Sequence, residues 1–146
     1  MRQSLAKSLA LLLTIMWFAI PFPATAEDLT DGDKQAFQEI ITNQIAAFRI
    51  DNADAAFAFA SPRIQQLFGD PQVFISMVRK SYSPVYRPQF FEFGEAALKQ
   101  GQPTQVVKIL GPKGTPWAAL YTFEKQGDGS WRISGVFLLK QDGAAA

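Results

Sequence analysis

The sequence predicts an α+β fold, with N-terminal helices packed on a curved four-stranded antiparallel sheet that forms a cone. Three observations carry this. Up to Ser81 the apolar residues recur at helical spacing. Beyond Pro88 they alternate with polar ones in short runs separated by Gly- and Pro-rich turns. Between the two regimes lies SYSPVYRP, Ser81 to Pro88, whose prolines stop helix continuation and bias Ser83 and Arg87 toward extended backbone.

The first 26 residues are set apart as a secretory signal. Arg2 and Lys7 make a basic start, Leu9 to Ile20 an apolar core, and Pro21 and Pro23 break it before Ala24-Thr25-Ala26. An uncleaved anchor is the alternative, but a bilayer span needs roughly 20 apolar residues and this run is shorter. Cleavage after Ala26 leaves 120 of the 146 residues, enough for a single core. Without Arg2 and Lys7 the 14 basic residues become 12 against 13 acidic, a net charge of −1. That excludes the concentrated positive charge of a nucleic-acid binder. The composition has no Cys and no His, and no N-x-S/T acceptor, which removes disulfides, thiol nucleophiles and the commonest base and metal ligand. These absences fit a bacterial periplasm, with no membrane span once the signal is removed.

Glu27 to Asp33 reads as an acidic exposed leader, and residues 34–140 as the single domain. From Lys34 to Ile50, Phe37, Ile40, Ile41, Ile45 and Phe48 define an amphipathic helix, with Asp31 and Asp33 as its caps. Asp51 and Asp54 have the spacing of a capping box, starting a short helix through Ala55 to Ala60 with Ala53, Ala56, Phe57 and Ala60 on its face. Ser61-Pro62 starts a helical turn that ends near Gly69. Asp70-Pro71 repeats the device and leads to about Lys80, with Val73, Phe74, Met77 and Val78 inward.

Four strands follow. In the first, Phe91 and Phe93 differ in parity from Ala96 and Leu98, and a bulge at Gly94-Glu95 reconciles them. The second is Gln105 to Leu110. Trp117, Ala119, Tyr121 and Phe123 share one face of the third. After the Gln126-Gly-Asp-Gly129 hairpin, Trp131, Ile133, Gly135, Phe137 and Leu139 share one face of the fourth. Short connections make the sheet antiparallel. Residues 141–146 read as a flexible tail.

Three runs carry a resemblance: AFRIDNADAAFAFASPRIQQLFG, FISMVRKSYSPVYRP and WAALYTFEKQGDGSWRISGVFL. Over roughly Ile40 to Leu139 the chain resembles the bacterial domain of unknown function 4864 family, through its ASP…F…MVR…Y.PVYRP spacing. That family is similar to the nuclear transport factor 2-like, or cystatin-like, superfamily, which implies a cone fold. The superfamily holds isomerases, cyclases, dehydratases and non-catalytic binding modules, so the likeness does not select a function. Its His/Asp arrangement is excluded here because the chain has no His.

The candidate chemistry is sparse. Asp51 and Asp54 are the weak general-base candidates, opposed by a capping role beside Arg49. Tyr121, on the Trp117 face, is the third catalytic candidate and is opposed by simple packing. Arg87, flanked by Tyr86, with Tyr82 and Trp117, forms the candidate ligand-binding set. Arg49, Arg63 and Arg79 would join it if the four arginines met at the cone mouth. Trp117 and Trp131 are candidates for a cross-strand pair. No metal site or cofactor is expected, since no phosphate-binding, metal-binding or nucleophile motif is present. Three functional readings remain open: a non-catalytic module for a small amphipathic or anionic ligand or a protein partner; a lyase or isomerase using an Asp/Tyr pair; and a homodimer joined by the outer sheet face, through Val106, Leu110, Leu120, Val136 and Leu138.

Overall fold

The computed structural model describes residues 28–142, so the expected signal sequence and most of the expected tail lie outside the described residues. Among the described residues five helices precede one antiparallel sheet of four strands, which neighbour one another in chain order. This is the expected α+β layout. Helix α1, Asp31–Arg49, starts inside the expected leader because Thr30, not an aspartate, is its cap. Thr30 Oγ1 accepts from Asp33 N and Asp33 Oδ2 accepts from Thr30 N, both at 3.0 Å. The Thr30 N–H, the largest influence, holds the Asp33 carboxyl below the ordinary carboxylate range. Asp33 Oδ1 also accepts from Trp131 Nε1 at 3.1 Å, which ties the start of α1 to the sheet.

The end of α1 differs from expectation. Asp51 N donates to Phe48 O and Asn52 N to Ala47 O, which is a Schellman closure with Asp51 at the left-handed position, φ 53°. Asn52, rather than Asp51, then caps α2 (Ala53–Ala58), accepting from Ala55 N at 3.1 Å. Ser61 caps α3 (Pro62–Phe68), which ends on left-handed Gly69, and Asp70 caps α4 (Pro71–Ser81). On α4 Phe74, Ile75 and Val78 are buried, whereas Val73 turns to solvent. The expected extended stretch after Ser81 is a single helical turn, α5 (Ser83–Tyr86), because Pro84 falls in its first turn, where a missing N–H costs nothing.

The sheet comprises β1 (Phe90–Lys99), β2 (Gln102–Leu110), β3 (Pro116–Lys125) and β4 (Trp131–Lys140). The expected bulge lies between Phe93 and Ala96, so Phe91, Phe93, Ala96 and Leu98 do share a face. A second bulge was not expected. Phe123 pairs with Ile133 but Thr122 with Gly135, so Ser134 is the extra residue and the parity of β4 reverses there. Val136 and Leu138 therefore pack on the core, while Phe137 and Leu139 face outward. At the bulge Gly135 lies close to Thr122, whose Oγ1 would be 3.0 Å from a Cβ placed there.

The core has two parts. Phe37, Ile41 and Ile45 of α1 pack with Val85 against the inward residues of β2, β3 and β4. Ala47 and Phe48 at the other end of α1 pack with α2, α4 and Tyr86. Trp117 and Trp131 stand opposite Lys140 and Lys125 at the two ends of the hairpin, so they do not pair. Trp131 instead packs edge-on against Phe37, with ring centroids 4.9 Å apart.

Candidate functional site

The two parts of the core do not close completely on each other. Between them is a cavity of about 260 Å³. Phe48, Phe74 and Val78 of the helical part form one wall, and Val85, Ile133 and Val136 of the sheet part the opposite one. Helix α3 contributes Ile64, Leu67 and Phe68, has no buried residue of its own, and leaves Leu67 76% exposed. Its position follows from the chain on either side: Ser61 N donates to Ile133 O and Ile133 N to Phe59 O, both at 2.8 Å, anchoring the α2–α3 connection to β4. Gln65 Nε2 then closes the end of α2 by donating to Phe57 O.

Only two polar side chains among the described residues line this cavity, Gln44 and Tyr82. Gln44 projects from the buried face of α1 and is 4% exposed. Its Nε2 donates to Ala56 O at 3.1 Å, one of the carbonyls that the short helix α2 leaves without an internal partner. No charged residue lines the cavity.

The sequence-predicted residues are mostly elsewhere. Tyr82 alone of the ligand-binding set reaches the cavity. Asp51, Tyr86 and Arg87 meet in a separate cluster: Tyr86 Oη donates to Asp51 Oδ1, and Arg87 donates to the same oxygen at 3.1 Å and to Phe48 O at 2.6 Å. Arg79 is 3.8 Å from that carboxylate and lies with Arg87 about the Tyr86 ring, at 5.4 and 4.6 Å from its centroid. Arg49 turns to Pro88 O at 3.3 Å, and Arg63 has no ion pair among the described residues. The four arginines therefore do not form one anion site. Asp54 is exposed in the first turn of α2, and Trp117 lies at the far end of the sheet, beside Gly111.

Tyr121 is wholly buried in the first core cluster and does not line the cavity. Burial pushes its phenol far up, and its hydroxyl has no hydrogen-bond partner among the described residues. Its cross-strand neighbour Gln105 has an equally unpartnered Oε1, while the Gln105 Nε2 donates to Gly94 O and Val106 O across the bulge. A buried hydroxyl without a partner costs about 1–3 kcal/mol. Tyr121→Phe is accordingly expected to raise stability by about 1 kcal/mol in urea unfolding; a loss of that size would mean the hydroxyl has a partner in solution.

Gln44 is the site residue that sequence reading missed. Its signal was its place on the Phe37–Ile41–Ile45–Phe48 stripe, one turn before Phe48, where a solvated glutamine is not expected.

The arrangement defines a class: a small α+β domain with a neutral, largely apolar cavity and no constellation of charged groups in it. A family model described as Domain of unknown function (DUF4864) matches residues 30–146, and the chain belongs to that family. No curated protein and no solved structure matches it. Among the described residues no cluster of three acidic side chains could hold a metal ion, and no helix is long and apolar enough to cross a membrane.

Proposed function

We propose that this protein is a periplasmic, non-catalytic module that holds one small, mostly apolar molecule between α3, α4 and β4. The supporting observation is the cavity of about 260 Å³, which the two core clusters and a helix without buried residues leave open. It falls just below the range of about 300–1,000 Å³ usual for small-molecule sites, which favours a ligand of one to three rings or an equivalent chain. The periplasmic part rests on the three-part pattern of the first 26 residues, and the cone fold of the nuclear transport factor 2-like superfamily is consistent with a pocket at this place. An Asp/Tyr enzyme is less well supported, because Asp51, Asp54 and Tyr121 all lie off the cavity wall.

The test uses protein recovered from the cell envelope, whose intact mass should begin at Glu27. It should enhance the fluorescence of 1-aminoanthracene, a neutral three-ring probe. Met77→Trp, which places a large side chain on the cavity wall, should weaken that binding at least tenfold at a temperature where circular dichroism shows the variant folded. Equal binding by the variant would put the probe elsewhere.

The outer sheet face supports a second role, self-association. Phe90, Phe137 and Leu139 are 58%, 62% and 52% exposed there, beside Val106 and Leu120. A second copy related by a two-fold axis presents the same apolar patch and the same Glu92–Lys108 ion pair. Sedimentation at micromolar concentration should show a dimer that Leu139→Lys disrupts. Leu138, which the sequence placed on this face, packs inward and is not the residue to change. A monomeric wild type would remove this role.

A further inference from the structure

Accepting the proposed binding role, we infer that the cavity selects an electrically neutral ligand carrying a hydrogen-bond donor, an alcohol on an apolar body, and that Gln44 reads the donor. The inference starts from the orientation of one amide. Ala56 O, which receives Gln44, is a carbonyl and can only accept, so the –NH2 end must face it and the carbonyl end is fixed on the other side. Among the described residues no donor reaches Gln44 Oε1. Unlike the sealed Oε1 of Gln105, it is not shut away from space, and the space its residue borders is the cavity. The site therefore offers a preset acceptor on a wall whose other polar side chain, among the described residues, is the neutral Tyr82.

Three ligand chemistries can be compared against that wall. A pure hydrocarbon would fill the volume but strip the Gln44 carbonyl of water without replacing the lost hydrogen bond, which is unfavourable. An anion would bring its charge to a wall without any cation, and its oxygens would face another acceptor. The nearby guanidinium groups of Arg79 and Arg87 do not alter this, since they are engaged with Asp51 and Tyr86 outside the lining. A hydroxyl satisfies the carbonyl and carries no charge. The phenol of Tyr82 is the other polar side chain of the wall and adds no charge either. A site built to bond a hydroxyl discriminates strongly against the analogue that lacks it, because its own polar group is then left unpaired.

The experiment uses three probes of nearly one shape: 2-naphthol, 2-methylnaphthalene and 2-naphthoate, titrated calorimetrically against the mature protein at neutral pH. The alcohol should bind about tenfold more tightly than the hydrocarbon, and the carboxylate should not bind measurably. Gln44→Leu should remove the alcohol's advantage while the hydrocarbon still binds. Should that variant unfold, the wild-type comparison of alcohol with hydrocarbon decides the matter without it. Equal affinities for alcohol and hydrocarbon, tighter binding of the carboxylate, or an alcohol preference that survives in Gln44→Leu would each overturn the inference and leave the cavity's binding role standing. If none of the three binds while 1-aminoanthracene does, this inference fails alone; if 1-aminoanthracene does not bind either, the binding role fails with it.

Discussion

Phe37→Ala should lower unfolding free energy by about 3–5 kcal/mol, the range for removing a buried aromatic ring. Phe37 is fully buried where helix and sheet meet, stacked on Phe123 at 4.2 Å and 14° and edge-on to Trp131. Truncation loses the ring's burial and both aromatic contacts. Since small domains are stable by only about 5–15 kcal/mol, the variant should sit close to the unfolding threshold. Urea titration followed by tryptophan fluorescence would measure it, with Leu67→Ala as a control expected within about 0.5 kcal/mol because Leu67 is exposed. Phe37 does not line the cavity, so the fraction of Phe37→Ala that stays folded should bind the probe with unchanged affinity. A loss below about 2 kcal/mol would show that the first core cluster relaxes around the gap.

The same residues show what was legible in the sequence. Phe37, Ile41 and Ile45 could be assigned to a buried stripe because helical period and side-chain chemistry agree there. The caps at Ser61 and Asp70 and the Gly94-Glu95 bulge were legible for a similar reason: each depends on residues adjacent in sequence. The β4 bulge was not. Trp131, Ile133, Gly135, Phe137 and Leu139 make an unbroken apolar alternation, and Val136 and Leu138 make the opposite parity equally apolar. What separates the two is the pairing with β3, Thr122 opposite Gly135 and Phe123 opposite Ile133, which sequence alone does not show. The cavity was illegible for a related reason. It arises where two clusters from distant segments fail to meet, and its one fixed polar group is held by a carbonyl 12 residues away. Tyr86 and Arg87, which look like part of a site in SYSPVYRP, instead turn back onto the end of α1, and only Tyr82 of that run's polar side chains reaches the cavity.

That turning back sets the second large effect, at Arg87. As a strut, Arg87 joins the end of α1 to the crossover: one nitrogen donates to Phe48 O, another to Asp51 Oδ1, and the guanidinium lies 4.6 Å from the Tyr86 ring centroid. Arg87→Met should therefore cost about 1–3 kcal/mol. The ion-pair share is at most about 1 kcal/mol, because both partners are well exposed to water. Arg87→Lys keeps the charge but not the planar fork, so it should recover only part of the loss. If Arg87 instead waited for an anionic ligand, Arg87→Met would leave the melting temperature unchanged or raise it. Asp51 supplies the second arm. It holds a left-handed position, φ 53°, that helix ends usually give to Gly or Asn. Asp51→Asn keeps a side chain suited to that conformation and removes only the charge. A strut predicts that Asp51→Asn and Arg87→Met together cost less than the sum of the two, because both act on the same ion pair. Thermal and urea unfolding of the two single variants and the double variant measure that coupling; an Arg87→Met protein as stable as the wild type would end the strut account.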